Sequence, residues 1–182
     1  MSAKKSSATL SPNTAMSGVA NSKSFKVTTP SDREIRMTRL FDAPRDLVYE
    51  AMSKPEHITH WWGRLGEGYT VPVCEVDLRV GGKWRFVNRT PKGQLAEFYG
   101  VYREIDPPDR VVFTEIFAPF PDTESVVTAL LTVEKGKTRL TVTALYPSLE
   151  VRDTVLGTGM ARGAAISYDR LEEVAARLEA RS

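Results

Sequence analysis

Six runs of alternating apolar and polar residues follow one another between residues 69 and 146, with only short turns between them. Turn signals such as Gly81-Gly82, Pro91-Lys92-Gly93 and Gly136 separate the runs. Regular alternation is typical of a strand that buries one face. Links this short leave no room for a crossover helix, so consecutive strands are expected to pair antiparallel. The pattern predicts one antiparallel sheet.

Other elements flank these runs. Before them, residues 33–41 form a further strand pattern, in which Arg39 interrupts an apolar parity. Two short helices are predicted next, over residues 42–53 and from Pro55 to near Gly63. The chain ends in one long helix, from about Gly159 to Ala180. This order predicts an α+β domain of about six to seven strands, whose apolar face the long C-terminal helix covers.

Charge divides the 182-residue chain into two parts. Residues 1–30 carry four lysines and no acidic residue, and Phe25 is their only aromatic residue. This basic Ser/Thr-rich segment has too little apolar surface to form a core, which predicts a disordered tail. Residues 31–182 hold 21 basic and 23 acidic residues and form the predicted domain. A domain without a clustered basic face is not expected to bind nucleic acid.

Location and covalent cross-links follow from two further features. The longest apolar runs are far shorter than the roughly 20 residues that a membrane span requires. The lone cysteine, Cys74, excludes an internal disulfide and suits a reducing compartment. We expect a cytoplasmic protein without a membrane span.

The segment "GTGMARGAA" resembles a dinucleotide fingerprint through Gly157, Gly159 and Gly163. Such a site also needs a preceding strand and a second parallel strand after the helix. Only 19 residues follow Gly163, and all of them read as helix, so the nucleotide interpretation fails on context.

Gly163 lies on the predicted C-terminal helix, which has a two-part apolar stripe. Small or flexible residues occupy its first half, and Leu171, Val174 and Leu178 occupy its second half. Against a curved sheet, this distribution leaves a space at one end and seals the other. Close helix–sheet packing would also explain the small residues, and both interpretations stay open.

The sheet supplies the opposite wall of that space. The more apolar parity of its strands is rich in aromatic residues, as expected for an apolar ligand pocket and equally for an ordinary core. In the strand near residues 95–105, both Phe98/Tyr102 and Tyr99/Val101 are plausible inward pairs. The inward sets elsewhere are Trp84 and Phe86; Val111, Phe113 and Phe117; Val127, Ala129, Leu131 and Val133; Leu140, Val142, Ala144 and Tyr146.

Four segments resemble the START-like, or SRPBCC, superfamily, in the branch of the C-terminal domain of the activator of Hsp90 ATPase. They are "FDAPRDLVYEAMSKPEHITHWWG", "VDLRVGGKWRF", "GVYREIDPPDRVVFTE" and "RDTVLGTGMARGAAISYDRLEEV". The likeness spans about residues 31–180. It implies a helix-grip fold, in which a curved antiparallel sheet wraps a long C-terminal helix and encloses a cavity for apolar molecules. The superfamily includes lipid carriers, polyketide cyclases and co-chaperone domains, and so the resemblance does not choose an activity.

Few residues suggest chemistry. His57 and His60 share a helical face, but a zinc site needs three or four ligands, and we expect neither a metal nor another cofactor. Cys74 has no histidine near it in sequence, and we interpret it as a small strand residue. Arg39 and Glu115 share parity with apolar neighbours, near strand ends that water can reach. They could form a structural pair, or Glu115 could be a buried acid with a raised pKa and a catalytic role.

These observations lead to a working hypothesis. We expect the domain to bind a small apolar or aromatic molecule between the sheet and the last helix. A co-chaperone module acting on Hsp90, a cyclase-like enzyme with Glu115 as its acid or base, and a weak homodimer are the alternatives. Of the adjacent Trp61 and Trp62, one ring is expected to fill the core and the other to border the cavity. The candidate ligand-binding residues are Trp62, Trp84, Phe86, Tyr99, Phe113, Phe117, Met160, Gly163, Ala164, Ser167 and Tyr168.

Overall fold

The computed structural model describes residues 22–182 as a sheet with four α-helices. The helices are α1 (Arg45–Ser53), α2 (Pro55–Trp61), α3 (Leu149–Gly157) and α4 (Met160–Glu179), and a 3-10 turn spans Ser22–Ser24. The strands are β1 (Lys26–Thr28), β2 (Glu34–Phe41), β3 (Thr70–Val76), β4 (Lys83–Arg89), β5 (Leu95–Asp106), β6 (Arg110–Phe117), β7 (Ser125–Glu134) and β8 (Lys137–Leu145).

All eight strands belong to one curved, unclosed antiparallel sheet in the order β1-β2-β8-β7-β6-β5-β4-β3. From β3 to β8 each strand pairs with the next one along the chain, as the short turns require. β2 joins the far side of β8, so the two short helices between β2 and β3 cross one end of the sheet. The predicted α+β class and the helix-grip arrangement are confirmed.

The sheet has one strand more than predicted because β1 lies within the segment assigned to the tail. β1 pairs with β2, with Val27 opposite Met37. The Phe25 ring packs edge to face on Tyr168, with ring centroids 5.8 Å apart. One aromatic residue and one valine suffice here because they join an edge that already exists. The predicted disorder of residues 1–21 lies outside the described residues.

Helix α3 was not predicted. It begins after Ser148, whose hydroxyl accepts a hydrogen bond from the Val151 N–H over 3.3 Å. None of its residues is fully buried, so its sequence lacks the strong apolar stripe by which helices are found. Gly159 separates it from α4 in a left-handed conformation, with φ of 80°.

Helix α4 divides the interior into a packed half and an open half. Leu171 and Val174, in its C-terminal half, are buried against Ile35, Phe41 and Leu140 of the sheet. This packing confirms that the bulky part of the stripe seals one end of the domain. Val133 was expected to face inward, but it is largely exposed because it lies near the end of β7.

Arg39 differs from its predicted setting. Its side chain is fully buried rather than reached by water. It pairs with Asp169 at 2.5 Å and with Glu172 at 2.7 Å, both on α4, and not with Glu115. Asp169 and Glu172 lie about one helical turn apart on α4, and both face the sheet. Because both bind Arg39, they fix the position of α4 along β2.

Within residues 22–182, no helix combines the length and the hydrophobicity needed to cross a lipid bilayer.

Candidate functional site

A cavity of about 570 Å³ lies between the concave face of the sheet and the N-terminal half of α4. Its volume falls within the range of small-molecule sites. Most of its lining is aliphatic or aromatic, with a few polar groups among them. A space of this size is unusual in a protein interior, where side chains normally pack as densely as molecules in an organic crystal.

Three neighbouring strands form an aromatic wall. Alternate residues of β4, β5 and β6 point to the same face, and the register places their rings next to each other. Ring centroids lie 4.9 Å apart for Trp84 and Phe86, and 5.5 Å apart for Trp84 and Phe113. Phe98 stacks on Phe117 at 4.8 Å. The wall is therefore a continuous apolar surface.

The open question about β5 is answered by Gly100. Phe98 and Tyr102 line the cavity, and the residue between them on that face is Gly100. A Cβ on Gly100 would lie 1.7 Å from the Thr114 carbonyl oxygen. The Trp84 indole crosses this gap and donates a hydrogen bond to the same oxygen over 3.1 Å. Any side chain at position 100 would collide with the Thr114 main chain and also with the Trp84 indole.

Tyr99 therefore lies on the opposite face of the sheet, contrary to its prediction as a binding residue. There it is grouped with Arg85, Glu97 and other residues of the outer surface. All of the other predicted binding residues line the cavity, as does Glu115.

Helix α4 contributes the wall opposite the aromatic residues. Met160, Gly163, Ala164, Ser167 and Tyr168 line the cavity, and none of the residues after Tyr168 does so. A Cβ on Gly163 would only make ordinary contact, 3.6 Å from the nearest Leu65 methyl group. A small side chain would therefore fit at position 163 without a clash, so close packing does not require a glycine there.

The two adjacent tryptophans have different roles because α2 ends between them. The Trp61 indole is buried and donates to the Ala51 carbonyl oxygen over 2.9 Å. Trp62 follows the helix in an extended conformation, and its ring contacts Phe86 and Phe98 at the cavity. Trp61 thus fills the core, as predicted for one of the two rings, and Trp62 borders the cavity, although part of Trp61 also lines it.

Glu115 is the acidic residue at the centre of the β6 wall. Protein surrounds Glu115 on all sides, and the part of its surface that remains accessible faces the cavity. Within residues 22–182, no hydrogen bond or ion pair reaches its carboxylate. Burial without a partner raises the pKa of Glu115 to about 7, since an unpaired charge is costly in an apolar setting.

Two tyrosines lie in the electrostatic field of that carboxylate. Tyr146 follows β8 and Tyr168 is on α4, and both are buried residues of the cavity wall. Burial raises the pKa of each phenol, and the Glu115 charge raises it further. Both hydroxyls therefore stay protonated and can donate hydrogen bonds.

A second polar group was missed by the sequence analysis. The Tyr49 hydroxyl on α1 is buried at the cavity wall, and within residues 22–182 it has no hydrogen-bond partner. Burial raises its pKa. Tyr49 and Met52 are three residues apart on α1 and both line the cavity. That spacing was visible, but only the curvature of the sheet places this face of α1 over the cavity.

The remaining candidates lie elsewhere. His57 faces Glu50, with 3.4 Å between Nε2 and Oε1, and His60 is exposed. Within the described residues, no three metal-binding side chains cluster together. Cys74 packs beside the core, and burial raises the pKa of its thiol to about 11, so the thiol is protonated at neutral pH.

A curved antiparallel sheet wrapped on a long C-terminal helix, with an apolar cavity between them, defines a helix-grip protein of the SRPBCC type. The family comparison is more specific. Residues 42–176 match the model of the "Activator of Hsp90 ATPase homolog 1-like protein" family, and the chain belongs to that family.

This chain matches several solved structures of the same fold over nearly their whole length. A protein of Rhodobacter sphaeroides is 25% identical over 85% of this chain and 99% of that chain, with a TM-score of 0.76. A protein of Mycobacterium smegmatis is 24% identical over 82% of this chain and 96% of that chain, with a TM-score of 0.71. The AHSA1-like protein from Aeromonas hydrophila is 16% identical over 79% of this chain and 94% of that chain, with a TM-score of 0.60. No curated protein matches the chain.

Proposed function

We propose that this protein binds a small hydrophobic or aromatic molecule in the cavity between the sheet and α4. The observation that carries the proposal is the cavity itself, about 570 Å³ in volume and lined mainly by aromatic and aliphatic side chains. Small residues of α4 border this space where bulky residues would fill it. The family to which the chain belongs has a fold that commonly binds hydrophobic ligands.

The hydrophobic effect supplies a large part of the affinity, but not all of it. Removal of about 300 Å² of apolar ligand surface from water contributes roughly 7 kcal/mol. Part of that free energy offsets the lost translational and rotational freedom of the ligand. A dissociation constant in the micromolar range, near −8 kcal/mol, therefore requires a molecule that fills most of the cavity or gains a polar contact.

Titration with the neutral dye Nile red tests the proposal. We expect saturable enhancement of its fluorescence by the wild-type protein, and at least tenfold weaker binding by Ala164→Phe, which places a ring inside the cavity. Ala176→Phe is the matched control, because Ala176 is an exposed position of the same helix. Equal binding by all three proteins would contradict a site in the cavity. Native mass spectrometry of the freshly purified protein would also show a retained small molecule.

Glu115 favours one second candidate function, proton transfer on the bound molecule. A carboxyl group whose pKa is about 7 can both accept and donate protons near neutral pH. This enzyme-like alternative requires that a ligand identified by mass spectrometry be converted by the wild-type protein and not by Glu115→Gln. Stimulation of the Hsp90 ATPase by this chain without a ligand would instead favour a co-chaperone role.

A further inference from the structure

Glu115 lies on β6 in the wall of the cavity. On β6 it pairs in register with Ser125 of β7. The Ser125 hydroxyl donates over 3.3 Å to the Glu115 main-chain carbonyl and leaves the carboxylate free. The residues before and after it on the same face, Phe113 and Phe117, are aromatic. The carboxylate thus lies between aromatic side chains, whereas Asp109, the other acid in the cavity lining, is paired with Arg45.

The groups around the carboxylate do not neutralise it. Tyr146 and Tyr168 are the titratable residues within its field, and both are neutral phenols. Within residues 22–182, no lysine, arginine or histidine forms an ion pair with Glu115. Arg39, the buried cation of the domain, is held by Asp169 and Glu172 on the other half of α4.

An acid in this position has an unused capacity to accept hydrogen bonds. A buried carboxylate that lacks a partner costs free energy, which a ligand can recover by donating a hydrogen bond to it. Charge-assisted hydrogen bonds are the stronger kind, so the gain is large for one atom of the ligand. The raised pKa of Glu115 is the expected sign of a site whose partner comes from outside the chain.

Resting on the proposed function, we propose that the ligand is an apolar molecule with one hydrogen-bond donor, a hydroxyl or an amine, that pairs with the Glu115 carboxylate. The apolar body then lies against Trp84, Phe86 and Phe113. The hydroxyls of Tyr146 and Tyr168 flank the polar group of the ligand. Specificity follows from the cost of leaving Glu115 unpaired beside a ligand without a donor.

Three naphthalene probes of the same shape test the proposal by calorimetry at pH 8, where Glu115 is mostly ionised. They are 2-methylnaphthalene, which has no donor, 2-naphthalenemethanol and 2-naphthalenemethylamine. We expect Glu115→Leu to weaken binding of at least one donor probe tenfold or more. Binding of 2-methylnaphthalene should change less than threefold, or improve. Loss confined to the amine identifies a cationic partner, and similar losses for both donors identify a neutral hydroxyl as sufficient.

Control variants make the result specific to this carboxylate. Glu115→Gln keeps the shape and removes the charge, and we expect it to weaken the amine probe at least tenfold even if Glu115→Leu folds poorly. Glu67→Leu, at an exposed position, should leave all three affinities unchanged. Tyr49→Phe tests a further unpartnered polar group of the cavity, the Tyr49 hydroxyl.

The outcomes separate this inference from the proposed function. If 2-methylnaphthalene binds and Glu115→Leu changes all three probes equally or not at all, the donor inference is overturned and the apolar cavity stands. A tenfold loss on Tyr49→Phe with none at Glu115 also overturns it, because the polar group then lies at α1. If none of the probes binds the wild-type protein, the proposed function and the donor inference both fail.

Discussion

The Arg39 guanidinium on β2 donates a hydrogen bond to the Glu172 carboxylate on α4 over 2.7 Å, where Arg39 is wholly buried and Glu172 nearly so. The second oxygen of Glu172 accepts from the Asp42 main-chain N–H at 3.1 Å. Asp169 binds another nitrogen of the same guanidinium. This network ties the last helix to the strand beside the packed half of the domain, outside the cavity lining.

Loss of either member of this pair should destabilise the domain strongly. Arg39→Met leaves the Glu172 carboxylate buried without its cation. We expect the free energy of unfolding to fall by roughly 3–5 kcal/mol. Urea denaturation measures the change in the free energy of unfolding. Arg36→Met is the control, because Arg36 lies on the other face of the same strand and is only partly buried. A change below about 1 kcal/mol for Arg39→Met would contradict the role assigned to the pair.

The N-terminal segment should contribute to stability. Phe25→Ala removes the edge-to-face contact with Tyr168 and part of the packing on the core. We expect a loss of about 1–2 kcal/mol, the usual scale for a half-buried aromatic side chain. Thermal denaturation measures it, with Lys26→Ala at the neighbouring exposed position as the control. Equal midpoints for the two variants would show that the Phe25 side chain adds nothing to the stability of the fold.

Enlargement of two alanines on α4 should have opposite effects. Ala164 lines the cavity, so Ala164→Leu should leave the free energy of unfolding unchanged or raise it. Ala175 is fully buried in the packed half, where Ala175→Leu should cost about 1–3 kcal/mol through overpacking. Chemical denaturation of the two variants in parallel gives the comparison. If Ala164→Leu is as destabilising as Ala175→Leu, the space beside Ala164 does not accept a side chain.

Glu115 should make stability depend on pH. Below about pH 4.5, its ordinary pKa, the residue is protonated in both the folded and the unfolded state. Between that value and about 7, the unfolded state ionises while the folded state keeps its proton. The free energy of unfolding therefore falls as pH rises through this window. The total decrease is about 3 kcal/mol and is complete above pH 7.

Glu115→Gln removes that penalty and isolates it from other titrating groups. Its stability relative to the wild type should increase from pH 4.5 to pH 7 and then remain constant. Denaturation curves at pH 4.5, 6 and 8 measure the difference. Glu67→Gln, at an exposed site, should show no such trend. A constant difference across the range for Glu115→Gln would mean that Glu115 is ionised in the folded protein.

Local patterns were a sound guide wherever one face of an element is buried and the other is wet. The alternation in β7 and β8 and the turn at Gly136 predicted a hairpin, and the two strands pair through it. The stripe on α4 predicted both its packed half and the residues that border the cavity. These features depend on the periodicity of side chains along one element, which the order of residues sets directly.

Elements without a clear periodicity of apolar residues were missed, because that periodicity is the signal on which the prediction depends. α3 has no fully buried residue, and β1 is three residues long. Each is stable through contact with a surface that other elements build. Without that surface in view, residues 26–28 and 149–157 are not distinguishable from a linker.

The order of the amino acids was therefore enough to determine the fold class, the antiparallel sheet, the limits of α4 and the inward parity of Glu115. The tertiary structure alone decided that Arg39 binds the acids of α4, that Phe98 rather than Tyr99 faces the cavity, and that Tyr49 joins its wall. Those outcomes depend on sheet curvature and on close approaches such as Gly100 to Thr114. They arise between residues far apart in the chain, where periodicity along one element carries no information.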